Sequence, residues 1–264
     1  MKAPFLALLL SLVLWGCNSP APKQNEASKP PAETPAPAET LTFTSQKIEK
    51  SFGTCKAEDS DCFKVKVAFP VASGTNAVAF NAVVDTLVAH QFQVGDGVKP
   101  KTLDEGIQQY GQEFLMFVRE NPDAVNSWEK ELKAEVVFQD EHWVTMRVTS
   151  YSFEGGAHPN SYLQYVNFSP DGKVINMASR IQDKNKLLTL AETAFRKVRE
   201  FPDKGSLNDQ GMQFENDQFV LPLEMGLTKD GLVLYYNPYE VGPYAAGATE
   251  VVLPAANLKG IVNL

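Results

Sequence analysis

Alternating apolar and polar residues predict several β-strands along the chain. The clearest case is residues 63–69, where four apolar side chains from Phe63 to Phe69 fall on one face. We expect Pro70 to end this strand, because proline lacks the backbone N–H that a strand donates. The predicted strands cover residues 42–50, 63–69, 128–138, 143–153, 161–168, 219–221, 232–237 and 250–253.

A helical period in other segments predicts three helices. Asn76 is expected to cap a helix that ends near Gln93. Thr102 and Glu105 form a capping-box pattern that begins a second helix, and Asp183 begins a third. Strands and helices that cluster separately are typical of an α+β fold rather than a doubly wound α/β fold. We therefore predict antiparallel sheets with helices packed on them, in two closely associated subdomains.

The first residues predict an exported lipoprotein. Residues 3–14 form an apolar run after Lys2, too short to span a bilayer and typical of a cleaved signal. The run ends in LWGC at residues 14–17, which resembles a bacterial lipobox. This resemblance implies removal of residues 1–16, followed by attachment of diacylglycerol and a fatty acyl chain such as palmitate to Cys17. The alternative is an ordinary signal peptide with an accidental cysteine.

The next segment, residues 17–41, is predicted to tether the folded part to the lipid. Residues 18–40 contain no aromatic residue and no aliphatic residue larger than alanine, so they cannot bury enough surface to offset chain entropy. We assign residues 42–168 to an N-terminal subdomain and residues 169–264 to a C-terminal subdomain. Asn18 replaces the aspartate that favours inner-membrane retention in enteric bacteria, which indicates the outer membrane.

Cys55 and Cys62 are the two cysteines that remain once Cys17 carries lipid. In an exported protein we expect them to form a structural disulfide with each other. The alternative is a redox pair, but such pairs normally have two intervening residues and lie beside the start of a helix.

The composition limits the classes of function. The chain has 24 Lys and Arg against 32 Asp and Glu, a net charge of -8, which argues against nonspecific binding of nucleic acid. Three histidines and three cysteines argue against dense metal sites. No apolar run reaches the roughly 18 residues of a transmembrane helix. We therefore expect no metal, no cofactor and no nucleic-acid partner.

The loop of residues 154–159 is the first candidate for chemistry, because two glycines place Glu154 and His158 close together in sequence. His158 as a general base, oriented by Glu154, is one interpretation. The other is structural: the glycines make a tight crossing, and His158 holds it by a hydrogen bond to the backbone. No G-x-S-x-G motif is present to support nucleophilic catalysis.

Four tyrosines between residues 235 and 244 form the second candidate. Tyrosine is common at binding hot spots, so we select Tyr236, Tyr239, Glu240 and Tyr244 as candidate binding residues. The alternative is that these rings only fix a long loop over the sheet. A third candidate is the acidic set Glu129, Glu131, Glu135, Asp140 and Glu141, which is expected to be the solvated face of a strand and its turn, or to attract a basic partner.

Three motifs resemble the extracytoplasmic region of RsiV-type proteins. They are GGAHP at residues 155–159, NFSPDGK at 167–173, and the pair LTKDGL at 227–232 and NPYEVGPYAAG at 237–247. That region combines an N-terminal domain, shared with PdaC-type peptidoglycan deacetylases, with a C-terminal domain of otherwise unknown function. The resemblance covers about residues 43–264.

The resemblance implies a binding role. In RsiV the module binds lysozyme, and in PdaC-type enzymes a separate deacetylase domain with an Asp and two His metal ligands performs catalysis. This chain has neither the Thr-Phe-Asp-Asp nor the His-x-x-x-His pattern of that domain. We also expect no cytoplasmic sigma-binding segment and no transmembrane helix, so neither deacetylation nor anti-sigma activity is carried over.

The leading hypothesis is a noncatalytic cell-envelope protein, anchored in the bilayer through Cys17, that recognises a lysozyme-like protein or peptidoglycan. One alternative is a cell-wall hydrolase that uses Glu154 and His158. Another is a structural lipoprotein whose partner is a second envelope protein.

Overall fold

The computed structural model describes residues 41–55, 61–123 and 127–264. The signal peptide, Cys17 and residues 17–40 of the tether lie outside these residues and stay predictions. Leu41, assigned to the tether, is instead buried in a hydrophobic core, and its carbonyl accepts a hydrogen bond from the Gln139 side chain at 2.9 Å. Within the described ranges, no helix is both long and apolar enough to cross a membrane.

The larger of two sheets has six strands in the order β1-β2-β3-β4-β5-β6. They are β1 (Thr42–Gly53), β2 (Cys62–Ser73), β3 (Ser127–Gln139), β4 (Val144–Phe153), β5 (Asn160–Phe168) and β6 (Val174–Ile175). Neighbouring strands are antiparallel except β2 and β3, which are parallel. This one departure from the predicted antiparallel pairing arises because two helices connect β2 to β3 and return the chain to the same end of the sheet.

Helices α1 (Ala77–His90) and α2 (Leu103–Glu120) cover one face of this sheet and enclose the first core. Thr102 caps α2 as predicted, because its side chain accepts a hydrogen bond from the Glu105 N–H at 3.2 Å. Asn76 occupies the predicted N-cap position of α1, but its side chain makes no capping bond and instead donates to the carbonyl of Pro170 at 3.3 Å.

The smaller sheet has the order β7-β8-β9 and packs with the third helix around a second core. Its elements are α3 (Lys184–Val198), β7 (Glu224–Thr228), β8 (Gly231–Tyr236) and β9 (Thr249–Leu253). Asp183 caps α3 as predicted, accepting from the Lys186 N–H at 3.0 Å. Trp143, at the turn before β4, is buried in this second core. The predicted α+β class, with two closely associated halves, is confirmed.

Two strand predictions are corrected. β2 continues through Pro70 to Ser73, because its pairing with β3 stops at Ala68 and a missing N–H is tolerated where one edge of the strand is free. Phe219 does not lie in a strand; it packs from a loop against the second core.

Cys55 and Cys62 form the predicted disulfide, with their Cα atoms 4.6 Å apart. Cys62 is also paired with Gly53 at the end of the β1–β2 ladder. The bond therefore closes the connection between these two strands, which agrees with a structural role.

Candidate functional site

The two sheets meet where side chains from the smaller sheet satisfy the free edge of β5. Oδ1 of Asn237 accepts from the Leu163 N–H at 2.8 Å, and its Nδ2 donates to the Leu163 carbonyl at 2.9 Å. Glu224 accepts from the Tyr165 N–H at 2.9 Å and from the Tyr162 hydroxyl at 2.7 Å. These side chains take the place of a neighbouring strand. We call this junction of β5 with β7 and Asn237 the seam.

The bonding at the seam is reciprocal. Asn167, on β5, donates through Nδ2 to the Met225 carbonyl at 2.8 Å and accepts through Oδ1 from the Leu227 N–H at 3.2 Å. A Cβ on Gly226 would lie 2.2 Å from Cδ1 of Tyr165, so only glycine lets this ring lie against β7. The seam therefore fixes the loops that follow β4 and β8 relative to each other.

Burial changes the acidity of groups at the seam. It raises the pKa of the Glu224 carboxyl, although the hydrogen bonds from Tyr162 and Tyr165 act in the opposite direction. It also raises the pKa of the Tyr165 phenol to about 12. Glu224 is thus a positioning group, with both carboxylate oxygens occupied by donors.

Glu154, at the start of the 154–159 loop, is held by the N-terminal half of the fold. Its carboxylate accepts a hydrogen bond from the Tyr110 hydroxyl of α2. Burial and this hydrogen bond raise the pKa of Tyr110. The ammonium group of Lys130, on β3, lies 4.6 Å from the centre of the Tyr110 ring and 5.4 Å from that of Phe92.

Lys130 is only 7% exposed, and desolvation lowers the pKa of its ammonium group against the attraction of Glu154. A folded-state pKa below the unfolded-state pKa means that the folded protein binds fewer protons between these two values. The free energy of unfolding therefore rises with pH through that interval, which ends near the ordinary lysine value of about 10.4.

We expect Lys130→Met to remove this pH dependence and to leave the protein at least as stable at pH 7, because methionine is apolar and similar in length. Denaturant unfolding from about pH 7 to about pH 10.5 measures the difference in unfolding free energy between the two proteins, which should narrow as pH rises. Lys133→Met, on the opposite, exposed face of β3, is the matched control and should retain the wild-type pH dependence. Equal pH profiles for wild type and Lys130→Met would contradict this prediction.

His158 lies at the other end of the loop, in an aromatic cluster with Tyr239 and Tyr244. Its ring stacks on Tyr244 with centroids 3.9 Å apart and an interplanar angle of 14°. Nδ1 lies 3.0 Å from the carbonyl of Pro159, an acceptor, so Nδ1 carries the hydrogen. Nε2 then accepts from the Tyr239 hydroxyl at 3.2 Å. We call His158, Tyr239 and Tyr244 the aromatic cluster.

The backbone beneath the aromatic cluster is held by Glu240. Its carboxylate accepts from the backbone N–H groups of Leu223 and Asn237, each at 2.8 Å. This contact fixes the tight turn at residues 237–240, in which Tyr239 has a φ of 71° and its side chain is 61% exposed. The Tyr244 hydroxyl donates to the carbonyl of Pro159 at 3.1 Å, which joins the two loops.

The structure separates the residues that the sequence grouped together. Tyr236 is 1% exposed, its ring packs against Phe195, and its hydroxyl donates to the carbonyl of Val220, so the prediction that it binds a ligand is corrected. Among the described residues, no hydrogen bond joins Glu154 to His158; each is bonded to a different half of the fold. Glu240 is half-buried, with both carboxylate oxygens bonded to backbone N–H groups of the turn and of Leu223, whereas Tyr239 is exposed and Tyr244 half-buried.

A groove of about 430 Å³ lies at the seam, lined in part by Tyr162 and Leu163 of β5. Its lining includes Glu131, Lys133, Tyr151, Ser161, Tyr162 and Tyr235. Tyr162 is 44% exposed, and within the described part of the chain the hydroxyls of Tyr151 and Tyr235 have no hydrogen-bond partner. No local pattern grouped these residues, because they come from separate strands that only the fold brings together.

The acidic set on β3 is mostly paired. Lys66 bonds Glu131 at 2.6 Å, and Glu135 bonds both Lys133, at 2.7 Å, and Arg147, at 2.5 Å. Asp140 accepts from the backbone N–H groups of the turn that follows β3. This set forms a solvated sheet face with its turn. Within residues 41–55, 61–123 and 127–264, no three His, Cys, Asp or Glu side chains are grouped closely enough to hold a metal.

Two family models match the chain. Residues 56–161 match the model described as "Deacetylase PdaC", and residues 177–256 match the one described as "Protein of unknown function (DUF3298)". No curated protein is similar enough to the chain to count as a match. The predicted combination of a PdaC-type N-terminal part with a C-terminal part of unknown function is confirmed.

Two crystal structures of DUF3298 family proteins have a similar fold. The protein from Pseudomonas aeruginosa PAO1 has a TM-score of 0.63 and 18% identity, with 84% of this chain and 95% of that chain covered. The protein from Bacteroides fragilis also has a TM-score of 0.63, with 19% identity and coverages of 87% and 96%. At this level of identity the likeness concerns the fold alone.

Proposed function

We propose that this chain, which joins a PdaC-type region to a DUF3298 region, is a noncatalytic binding module that recognises a basic lysozyme-like protein. The two family regions indicate an extracytoplasmic module. Recognition of such a protein is our inference from the aromatic surface, from the charge of the chain and from the resemblance to RsiV.

The observation that carries the proposal is the exposed aromatic surface at the seam. Tyr239 and Tyr162 are 61% and 44% exposed, and Tyr244 and His158 stack beside Tyr239. Rings already fixed by hydrogen bonds lose little conformational entropy when a partner covers them. Rigid tyrosines of this kind are enriched among the residues that dominate protein–protein binding energy.

The acid–base alternative needs Glu154 to orient the imidazole of His158. In His158, Nε2 is bonded to Tyr239 and Nδ1 to a backbone carbonyl. Glu154 is bonded to Tyr110 and does not orient the imidazole. These contacts support a structural role for the loop and a noncatalytic module.

The charge of the chain favours a basic partner. Its net charge is -8, and removal of residues 1–16 would take away Lys2 and make it -9. Opposite net charges mainly raise the association rate, and this contribution weakens as salt screens it. Affinity that persists in salt must therefore come from contacts such as the aromatic cluster.

The direct test is binding of the full-length protein, in a mild detergent, to a panel of lysozymes and to insoluble peptidoglycan at about 50 and 200 mM salt. We expect saturable binding to at least one lysozyme that persists at the higher salt. Binding that disappears at higher salt would indicate charge attraction alone and contradict the proposal. Binding to peptidoglycan but to no lysozyme would contradict the proposal and indicate that the ligand is a glycan.

Attachment to the envelope is a separate proposal that rests on the sequence. Cys17 would carry the lipid, and residues 18–40 would hold the module away from the outer membrane. Metabolic labelling with a palmitate analogue, lost in Cys17→Ser, is the corresponding measurement.

A further inference from the structure

The first strand of the larger sheet has an unpaired edge. β1 (Thr42–Gly53) is twelve residues long, stands at the end of the strand order and, among residues 41–55, 61–123 and 127–264, pairs only with β2. The opposite edge differs, because its last strand, β6, is only two residues long and side chains of the seam bond the rest of the β5 edge. A long, exposed edge strand is a template for pairing with another strand.

Two charged side chains near the middle of β1 form no salt bridge within the described part of the chain, although Glu49 stands opposite Lys66 of β2. Lys47 and Glu49 are both exposed, and within the described residues neither forms a salt bridge. They alternate along the strand with Ile48, so both project from the same face of the sheet. Lys50, on the other face, is bonded to Asp104 of α2.

We propose that a second copy of this chain binds here, with the two β1 strands paired antiparallel about a two-fold axis at Ile48. The two larger sheets then form one continuous twelve-stranded sheet. This register places Lys47 opposite Glu49 of the partner subunit, and Glu49 opposite Lys47 of the partner subunit. Both cross-strand pairs have opposite charges, which stabilises an antiparallel pair.

Geometry and charge together select this register. Directly opposed residues in an antiparallel pair lie on the same face, so the axis must pass through a residue and not between two. A two-fold axis at Lys47 would place the Lys47 side chains of the two copies opposite each other. An axis at Glu49 would do the same with the two Glu49 side chains. Like charges directly opposite are destabilising, and axes farther from Ile48 shorten the ladder.

The proposed dimer does not depend on the proposed function. The strand order places β1 at the edge of the larger sheet that is remote from the seam, so pairing leaves both aromatic clusters exposed. Each dimer would present two copies of that surface. Failure to bind lysozyme would therefore leave the dimer intact, and failure to dimerise would leave ligand binding intact.

The test is sedimentation equilibrium of the full-length protein, in density-matched detergent, from about 1 to 200 µM. We expect a reversible monomer–dimer equilibrium. By symmetry, Lys47→Glu or Glu49→Lys converts both attractive pairs into repulsive pairs and should raise the dimer dissociation constant at least about tenfold. The double variant Lys47→Glu/Glu49→Lys restores opposite charges in the same register and should return the constant to near the wild-type value.

Lys229→Glu, at the exposed turn between β7 and β8, is the matched charge-reversal control and should leave the constant unchanged. Thermal unfolding of each variant confirms that the fold is retained. A wild-type protein that stays monomeric at every concentration would overturn the proposal. So would single variants with wild-type affinity, or a double variant that stays as weak as the single ones.

Discussion

Replacing Asn237 with alanine should lower the free energy of unfolding by about 2–5 kcal/mol, the largest stability effect that we expect from a single polar residue. Asn237 is buried, and its amide satisfies both the N–H and the carbonyl of Leu163. Alanine leaves both backbone groups without a partner, and each unsatisfied buried group costs about 1–3 kcal/mol.

Urea unfolding gives the free energy directly, and two tryptophans report on the two cores. Trp128 lies in the first core and Trp143 in the second. Because the seam joins the two halves, we expect both probes to shift to lower urea in Asn237→Ala. Asn185→Ala, whose exposed side chain makes no hydrogen bond among the described residues, is the matched control and should change stability by less than about 0.5 kcal/mol.

Asn237→Asp distinguishes the contribution of the side-chain acceptor from that of the side-chain donor. The carboxylate keeps an acceptor for the Leu163 N–H but has no donor for the Leu163 carbonyl, so it should also destabilise the protein. If Asn237→Ala and wild type unfold at the same urea concentration, water satisfies the β5 edge and the seam does not stabilise the fold.

Local periodicity predicted most of the elements but not how they pair. The alternation of apolar and polar residues in β2 and β3 identified their buried faces, because each strand has one solvent-exposed face. Periodicity contains no information about the neighbouring strand, so the parallel pairing of β2 with β3 was not foreseen. The seam was missed for the same reason, since Asn237 and Leu163 are far apart in sequence.

One error at the candidate site was avoidable from the sequence. In β8, Leu232, Leu234 and Tyr236 alternate with Val233 and Tyr235, so Tyr236 belongs to the apolar face that packs on the second core. The candidate tyrosines that remain lie after the strand, where the chain turns at residues 237–240. Their contact with His158 depends on the seam, and no local pattern predicts it.

The separation of Glu154 from His158 shows why closeness in sequence did not make a catalytic pair. Gly155, with a φ of 80°, turns the chain so that the side chains on either side of the glycines contact different elements. Glu154 bonds α2 and His158 bonds the loop after β8. Of the two alternatives that the tyrosines raised, support of a loop is visible in their hydrogen bonds to His158 and to the Pro159 carbonyl, and binding stays a proposal.

Replacing both Tyr239 and Tyr244 with alanine should weaken binding of a recognised lysozyme by about 2–4 kcal/mol, or roughly 30- to 1,000-fold in Kd. The change removes two exposed or half-buried rings and the stacking surface of His158. We expect the lower affinity to arise mainly from faster dissociation. Calorimetry or surface-based kinetics, at salt high enough to suppress charge attraction, measures it.

Two variants distinguish contact from loop support. Tyr239→Phe/Tyr244→Phe keeps the rings but removes the hydroxyls that bond His158 and the Pro159 carbonyl, so it should bind much more tightly than the alanine pair if the rings touch the ligand. His142→Ala, an exposed histidine at the turn before β4, should bind as wild type does. A folded alanine pair with unchanged Kd would show that the rings only fasten the loops, and the ligand surface would then have to be sought along the groove lined by Tyr151 and Tyr235.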